Sequence, residues 1–210
     1  MAMTGPSRET LRQLRTWRRE AARYDTVMAK TERGMLAGTR EWLGARAVGR
    51  VLEVAVGTGR TLPYYRDVAS LTAIDLTPEM LAVARSRAEH AGIEVELSEA
   101  DAEALPFPDA RFDTVVCALA LCSIPHPDAA VAEMRRVLVP GGTLLLADHI
   151  GSTWPPVYAL QWLMERWSVP VRGEHLTRRH LSRVEATGFR VVERERLKAG
   201  MVERIRAIRP

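Results

Sequence analysis

The chain has 210 residues, 47 % of them apolar, which is enough to bury a sizeable core and fits one large domain with a helical appendage. No apolar run approaches the ~18 residues of a membrane-crossing helix, and the opening MAMTGPSRETLRQLRTWRRE is charged throughout, without a signal-peptide core; a cytoplasmic protein with no integral membrane association is expected. Thirty basic against 26 acidic residues leave a net charge of +4, too small an excess to point to DNA, and two cysteines are too few for a disulfide framework.

Residues 1–45 read as helical, because Leu11, Leu14, Trp17 and Ala21 recur at three- and four-residue spacing. Arg8, Arg12, Arg15, Arg18, Arg19 and Arg23 lie among them. Such a segment is a solvated helix face or a contact for an anionic partner such as RNA, and the solvated face is the simpler reading. A second helix is expected over residues 31–43, stopping near Gly44. Then the texture changes. GRVLEVAV is a β-branched run ending in glycines, the pattern of a buried parallel strand. LTAIDL (71–76) is a second strand. Thr77, Pro78 and Glu79 read as N-cap, N1 proline and early acid of a helix to about His90. IEVELSEA (93–100) and FDTVVCALA (112–120) are the third and fourth strands. HPDAAVAEMRRVL (126–138) is a helix with His126 at its cap, closed by Pro140-Gly141-Gly142, and TLLLADHI (143–150) is the fifth strand. An aromatic insert occupies 151–181, LTRRHLSRVEATG (176–188) reads as a helix, and FRVVERER and MVERIRAI form a final strand pair.

Strands alternating with helices imply an α/β, doubly wound, mostly parallel sheet of seven strands. Ligands in such sheets sit beyond the carboxyl ends of the strands, where strand order reverses. Residues 56–59, 75–76, 101–102 and the stretch after Val116 therefore surround one crevice. The loop Glu53-Val54-Ala55-Val56-Gly57-Thr58-Gly59 has glycines that let a ligand approach the backbone. The dinucleotide fingerprint fails, since Leu62 stands where its third glycine belongs, and no lysine marks a phosphate-binding loop. A ligand without phosphates is left. Asp75, 18 residues beyond Gly57, can accept hydrogen bonds from both hydroxyls of a ribose. Leu76 and Met80 can flank an adenine face, and Asp101 with the Ala102 N–H can read its amino edge.

These residues resemble the class I S-adenosylmethionine-dependent methyltransferases, in particular the small-molecule subgroup similar to quinone-biosynthesis and phospholipid N-methyltransferases. VLEVAVGTGRTLPYY, LTAIDLTPEML, ADAEALPFPDARFDTVV and AEMRRVLVPGGTLLLADH carry the likeness in the family's order. The resemblance implies S-adenosylmethionine as cofactor, with Glu53 toward the methionine amino end through water or the loop backbone. Gly57 and Gly59 match the family's later glycines, Asp75 its ribose-binding acid and Asp101 its adenine-contacting acid. Ala55 replaces the usual first glycine, and a slight reshaping of the methionine pocket is expected there. It further implies an antiparallel last strand, a helical cap over residues 1–45 with Tyr24-Asp25 as a pocket-lining pair, and a methyltransferase domain over 46–210 with a lid at about 151–181.

Methyl transfer is a displacement at a sulfonium methyl, so the enzyme's tasks are alignment and exclusion of water. A base is needed only if the nucleophile carries a proton. The acceptor is expected to be a small hydrophobic molecule with an oxygen, nitrogen or sulfur nucleophile, and the pocket facing the sulfonium is expected from residues 118–127, with Ala118 against the cofactor, from the end of the fifth strand and from the insert. An RNA or protein methyltransferase, or a non-catalytic cofactor-binding protein, is the alternative. His149 after the fifth strand is the candidate base, oriented by Asp148; a thiol methyltransferase-like branch carries a similar acid-histidine pair. The other reading of His149 is a histidine packed under the insert. Trp154, Tyr158 and Trp162 lie four apart and are expected on one helix face, as a lid over the acceptor or as packing on the sheet edge. Cys117 and Cys122 read as packing residues, not at zinc spacing, and no metal is expected.

Overall fold

Val51, Leu52 and Val54 are fully buried in strand β1 (Gly49–Val54), and alternate residues point to opposite faces. Both faces are therefore covered, as a parallel strand requires. In this computed structural model, which describes residues 7–210, β1 lies at the centre of a seven-stranded sheet. The other strands are β2 (Val68–Asp75), β3 (Glu96–Glu99), β4 (Phe112–Ala118), β5 (Leu138–His149), β6 (Arg190–Leu197) and β7 (Val202–Ile208). Their order is β3-β2-β1-β4-β5-β7-β6. The first five strands pair in parallel, and β7 runs antiparallel to both β5 and β6. The order reverses between β1 and β4, and a crevice opens there at the carboxyl ends.

The helices are α1 (Arg8–Gly34), α2 (Thr39–Gly44), α3 (Pro78–Ala91), α4 (Pro127–Val137), α5 (Pro155–Arg172) and α6 (Leu181–Ala186). Leu52, Val54, Val115 and Leu146 pack toward Ala130, Val131 and Met134 of α4. Val51, Val116 and Leu145 pack toward Trp42 and Leu43 of α2 and Leu81 and Ala88 of α3. Helices thus cover both faces. The first six residues of the expected 1–45 cap lie outside the described residues.

Several elements differ from the sequence expectation for local reasons. Nothing between Leu11 and Gly34 breaks a helix, so α1 runs unbroken through Thr31; the chain turns only at Gly38, in the left-handed region at φ +72°, before the short α2. Pro140-Gly141-Gly142 do not close α4. Leu138 is already extended, Phe112 pairs with Leu138 and Thr114 with Thr143, and the four intervening residues are taken up as an irregularity inside β5. The third strand is trimmed to Glu96–Glu99, and the helix expected from Leu176 starts only at Leu181. Thr77 and His126 occupy N-cap positions but neither side chain caps its helix.

Gly59 shows how tightly the loop after β1 is packed. At φ +76°, a Cβ there would lie 2.8 Å from Leu62 Cδ1 and 3.1 Å from Ala84 Cα. Both strain and overlap oppose any side chain. Gly59→Ala is expected to cost about 2 kcal/mol and to lower the melting temperature by about 5 °C, measured by thermal unfolding; an unchanged melting temperature would show that the loop can shift freely.

Candidate active site

Two acids and a glycine set the geometry of the crevice. Asp75, buried at the end of β2, accepts the Gly57 N–H on Oδ2 and the Thr77 N–H on Oδ1, each at 2.8 Å. One carboxylate so ties the loop after β1 to the start of α3. Burial pushes its pKa up, and the backbone donors Thr77, Gly57 and Leu76 work against that shift. Asp101 accepts the Glu103 N–H at 2.9 Å in the turn after β3. The floor is strained at two places: Ala55 after β1 and Leu119 after β4 hold φ of +56° and +58°. Non-glycine residues pay of order 1 kcal/mol or more for this, and such outliers gather at ligand sites. The Leu119 conformation is held by its N–H donating to the Ala147 carbonyl at 2.7 Å.

A cavity of about 870 Å³, counting open solvent at its mouth, fills this crevice. Of the residues expected to bind cofactor, Tyr24, Ala55, Gly57, Asp75, Leu76, Met80, Asp101, Ala102 and Ala118 line it. Gly59 lies behind the wall in the packing just described. Glu53 is also behind it, buried and hydrogen-bonded to the Tyr65 hydroxyl at 3.0 Å, with Oε1 unpartnered. Burial raises its pKa to about 7, opposed by Thr61, Arg40 and Tyr65. The α1 side of the cavity was largely missed in the sequence: Thr10, Gln13 and Trp17 join Tyr24 on it. The signal was present, since Trp17 and Tyr24 are seven residues apart and share a helix face; their rings meet edge to face at 6.0 Å. Leu119, Ser123, Ile124 and Pro125 complete the wall after β4.

Charges hold α1 over the cavity. Asp25 accepts the Thr58 hydroxyl at 2.7 Å and pairs with Arg87 and Arg60. Glu32, two turns on, pairs with Arg60 at 2.6 Å and Arg40 at 2.8 Å. Burial works to raise both carboxyls, yet these partners hold them below the ordinary carboxylate range. Arg40 also donates to Thr61 at 2.7 Å. Asp25 is thus a clamp on the glycine loop, while Tyr24 faces the cavity with its hydroxyl pushed up by burial to about 12.

Asp148 and His149 lie outside the cavity wall. The Asp148 carboxylate accepts the Cys122 N–H and the His149 N–H, each at 2.8 Å, and faces His180 Nε2 at 3.5 Å. It joins the loop after β4 to the end of β5 and to α6. Burial keeps Cys122 a thiol and lowers the His180 pKa. The Nδ1 of His149 is buried without a partner, and the carboxyl of Glu174 is pushed up, chiefly by burial. Cys122, Asp148 and His149 place one donor atom each within 4.8 Å of the others, a grouping that spacing along the chain did not reveal.

Trp154, Tyr158 and Trp162 do not face the cavity. They are 59, 38 and 51 % exposed and line no part of it. The inward face of α5 is taken instead by Gln161, Glu165 and Ser168, whose polar groups satisfy the loop beneath. Gln161 donates to Ile150 O at 3.0 Å and accepts from Ser152 N–H at 2.7 Å; Glu165 accepts the Thr177 N–H at 2.7 Å; the Ser168 hydroxyl donates to Glu174 O at 2.8 Å.

The residues present fit S-adenosylmethionine. A Cβ built on Gly57 would meet nothing within 4 Å, so the loop is an open cradle. Asp75 keeps lone pairs for a ribose. Comparison with known proteins agrees. The family described as "Methyltransferase domain" matches residues 52–146. A phosphatidylethanolamine N-methyltransferase of Cereibacter sphaeroides is 39 % identical over 146 residues, covering 69 % of this chain and 71 % of that protein. The ubiquinone/menaquinone biosynthesis C-methyltransferase UbiE of Cupriavidus necator is 33 % identical over 216 residues, covering 87 % and 86 %. The crystal structure of a putative methyltransferase from Bacillus halodurans shares the fold, with a TM-score of 0.69 at 23 % identity over 82 % of this chain and 98 % of that one. With this likeness added to the crevice, the chain belongs to the class I S-adenosylmethionine-dependent methyltransferases.

Proposed function

We propose that the protein methylates a nitrogen, oxygen or sulfur atom of a small lipophilic acceptor. The observation that carries this reading is the set of apolar side chains on the cavity wall, among them Trp17, Leu119, Ile124 and Pro125. The names of the two relatives, a phosphatidylethanolamine N-methyltransferase and a ubiquinone/menaquinone biosynthesis C-methyltransferase, are compatible with a lipophilic acceptor, and the first with a nitrogen nucleophile. Bound S-adenosylmethionine supplies an electrophilic methyl on a positive sulfur. In this assignment Asp75 holds the ribose, Asp101 and Ala102 the adenine edge, and Leu76 and Met80 its faces. Trp17 and Tyr24 exclude water, and the Tyr24 hydroxyl stays a neutral donor. His149 is the candidate base for an acceptor that reaches past the loop after β4, since it lies outside the cavity wall, and Asp148 fixes its backbone through the His149 N–H.

The direct test is a screen of lipid amines, quinols, thiols, RNA and protein with methyl-labelled cofactor. Label entering a lipophilic acceptor supports the assignment; label entering only RNA or protein overturns it. Asp75→Ala is expected to weaken cofactor binding about ten-fold or more through lost charge-assisted hydrogen bonds, read by calorimetry; unchanged affinity would remove Asp75 from the site. His149→Ala should lose most turnover while binding cofactor normally, and unchanged turnover would leave alignment as the whole mechanism. Glu53 makes stability depend on pH. Unfolded, it ionises at an ordinary carboxylate pKa near 4.5; folded, near 7. Between those values the unfolded chain has lost a proton that the folded chain keeps, so stability falls as pH rises through this window and then levels off. Glu53→Gln removes that fall, and its stability relative to the parent should improve by about 1–3 kcal/mol between about pH 5 and pH 8. Urea unfolding at both values checks this, and parallel shifts would exonerate Glu53.

A further inference from the structure

Helix α5 is inside out. Over its 18 residues only Ser168 is buried. Gln161, Glu165, Ser168 and Arg172, spaced four, three and four, face the protein. Leu160, Leu163, Met164, Trp167 and Val171, at i, i+3, i+4, i+7 and i+11, form one apolar stripe and are 47–66 % exposed. Trp162 flanks the stripe, with the Arg166 guanidinium 4.9 Å over its ring. Trp154 extends the exposed aromatic surface at the amino end. The one acid of α5, Glu165, is turned inward onto Thr177 and His175. A contiguous apolar surface of this kind on a charged protein marks a contact with another apolar phase.

The neighbouring helix says which. Arg8, Arg12, Arg15 and Arg19 are spaced four, three and four, on the face of α1 opposite Gln13 and Ala21, and all four are exposed. None of them makes an ion pair among the described residues. Arg12 of this stripe donates to the Val169 and Pro170 carbonyls at the end of α5, and Gln13 meets Gly173, so the stripe borders the apolar helix. A Trp- and Leu-rich face beside a row of arginines without acidic partners is complementary to an anionic lipid surface, where indoles settle at headgroup depth and guanidiniums meet phosphates. No helix among the described residues is long and apolar enough to cross a membrane; the contact is one of lying on it. We infer that α5, flanked by the arginine stripe of α1, seats the protein on the surface of an anionic bilayer.

This seat is separate from the reaction assigned above, and its test uses neither cofactor nor acceptor. The full chain is sedimented with vesicles of phosphatidylcholine alone and of phosphatidylcholine mixed with phosphatidylglycerol. Binding to the anionic vesicles should be at least ten-fold tighter and should weaken with salt. Trp42 is buried and Trp17 lines the cavity, so blue-shifted tryptophan emission quenched by brominated acyl chains reports on the tryptophans of α5 and the residue before it. The double variant Leu163→Glu/Trp167→Glu, at exposed positions, should keep the parent melting temperature and lose about ten-fold or more in partitioning. Arg15→Gln/Arg19→Gln should lose about five-fold per arginine on the anionic vesicles only. Absence of vesicle binding overturns the inference. So does binding without quenching, which would place the contact elsewhere. Light scattering that shows a dimer dispersed by Leu163→Glu/Trp167→Glu, without vesicle binding, would assign the face to a second copy. Salt-sensitive RNA binding without vesicle binding would assign the stripe to nucleic acid.

Discussion

The two hydrogen bonds of Asp75 are the constraint on which the crevice depends. A carboxylate at the end of β2 receives backbone donors from the loop after β1 and from the start of α3. Each donor would otherwise be an unsatisfied amide at a strand end. The bonds hold Gly57 open toward the cavity and keep α3 close enough that Gly59 must lack a side chain. The same carboxylate retains the lone pairs that a ribose would use. One side chain thereby couples the shape of the loop to the chemistry of the pocket.

Much of the layout was legible before any coordinates. Parallel strands buried on both faces leave continuous apolar runs, so the strands of the sheet stood out, and the acids at their ends followed from the topology. The turn chemistry was less legible. Pro140-Gly141-Gly142 is the composition of a helix stop, yet pairing of β5 with β4 on one side and β7 on the other absorbs it into the strand. Thr77 has the composition of a cap, yet its side chain caps no helix N–H and its backbone N–H donates to Asp75 instead. In both cases a tertiary partner outbid the local preference.

The sequence misled most about α5. Four-residue spacing of Trp154, Tyr158 and Trp162 marks a shared face, but periodicity does not say whether that face looks inward. Polar residues outside the pattern decided it, because backbone groups in the segments flanking α5, at Ile150, Ser152, Glu174 and Thr177, are satisfied by Gln161, Glu165 and Ser168. The cost of burying unpaired amides exceeded the gain from burying indoles. The docking of α1 was less legible than its cavity face, because it rests on long-range charge partners, Arg40, Arg60 and Arg87, that no local pattern records.

That manner of attachment has a mechanical consequence. Only Thr10, Gln13 and Ala21 of α1 are buried, and Asp25 and Glu32 hold it to Arg40, Arg60 and Arg87. The sheet beneath is sealed by fully buried leucines and valines. Partial opening follows the weakest cooperative unit, so the roof lifts at a free energy well below that needed to part the strands, and more readily as ionic strength rises.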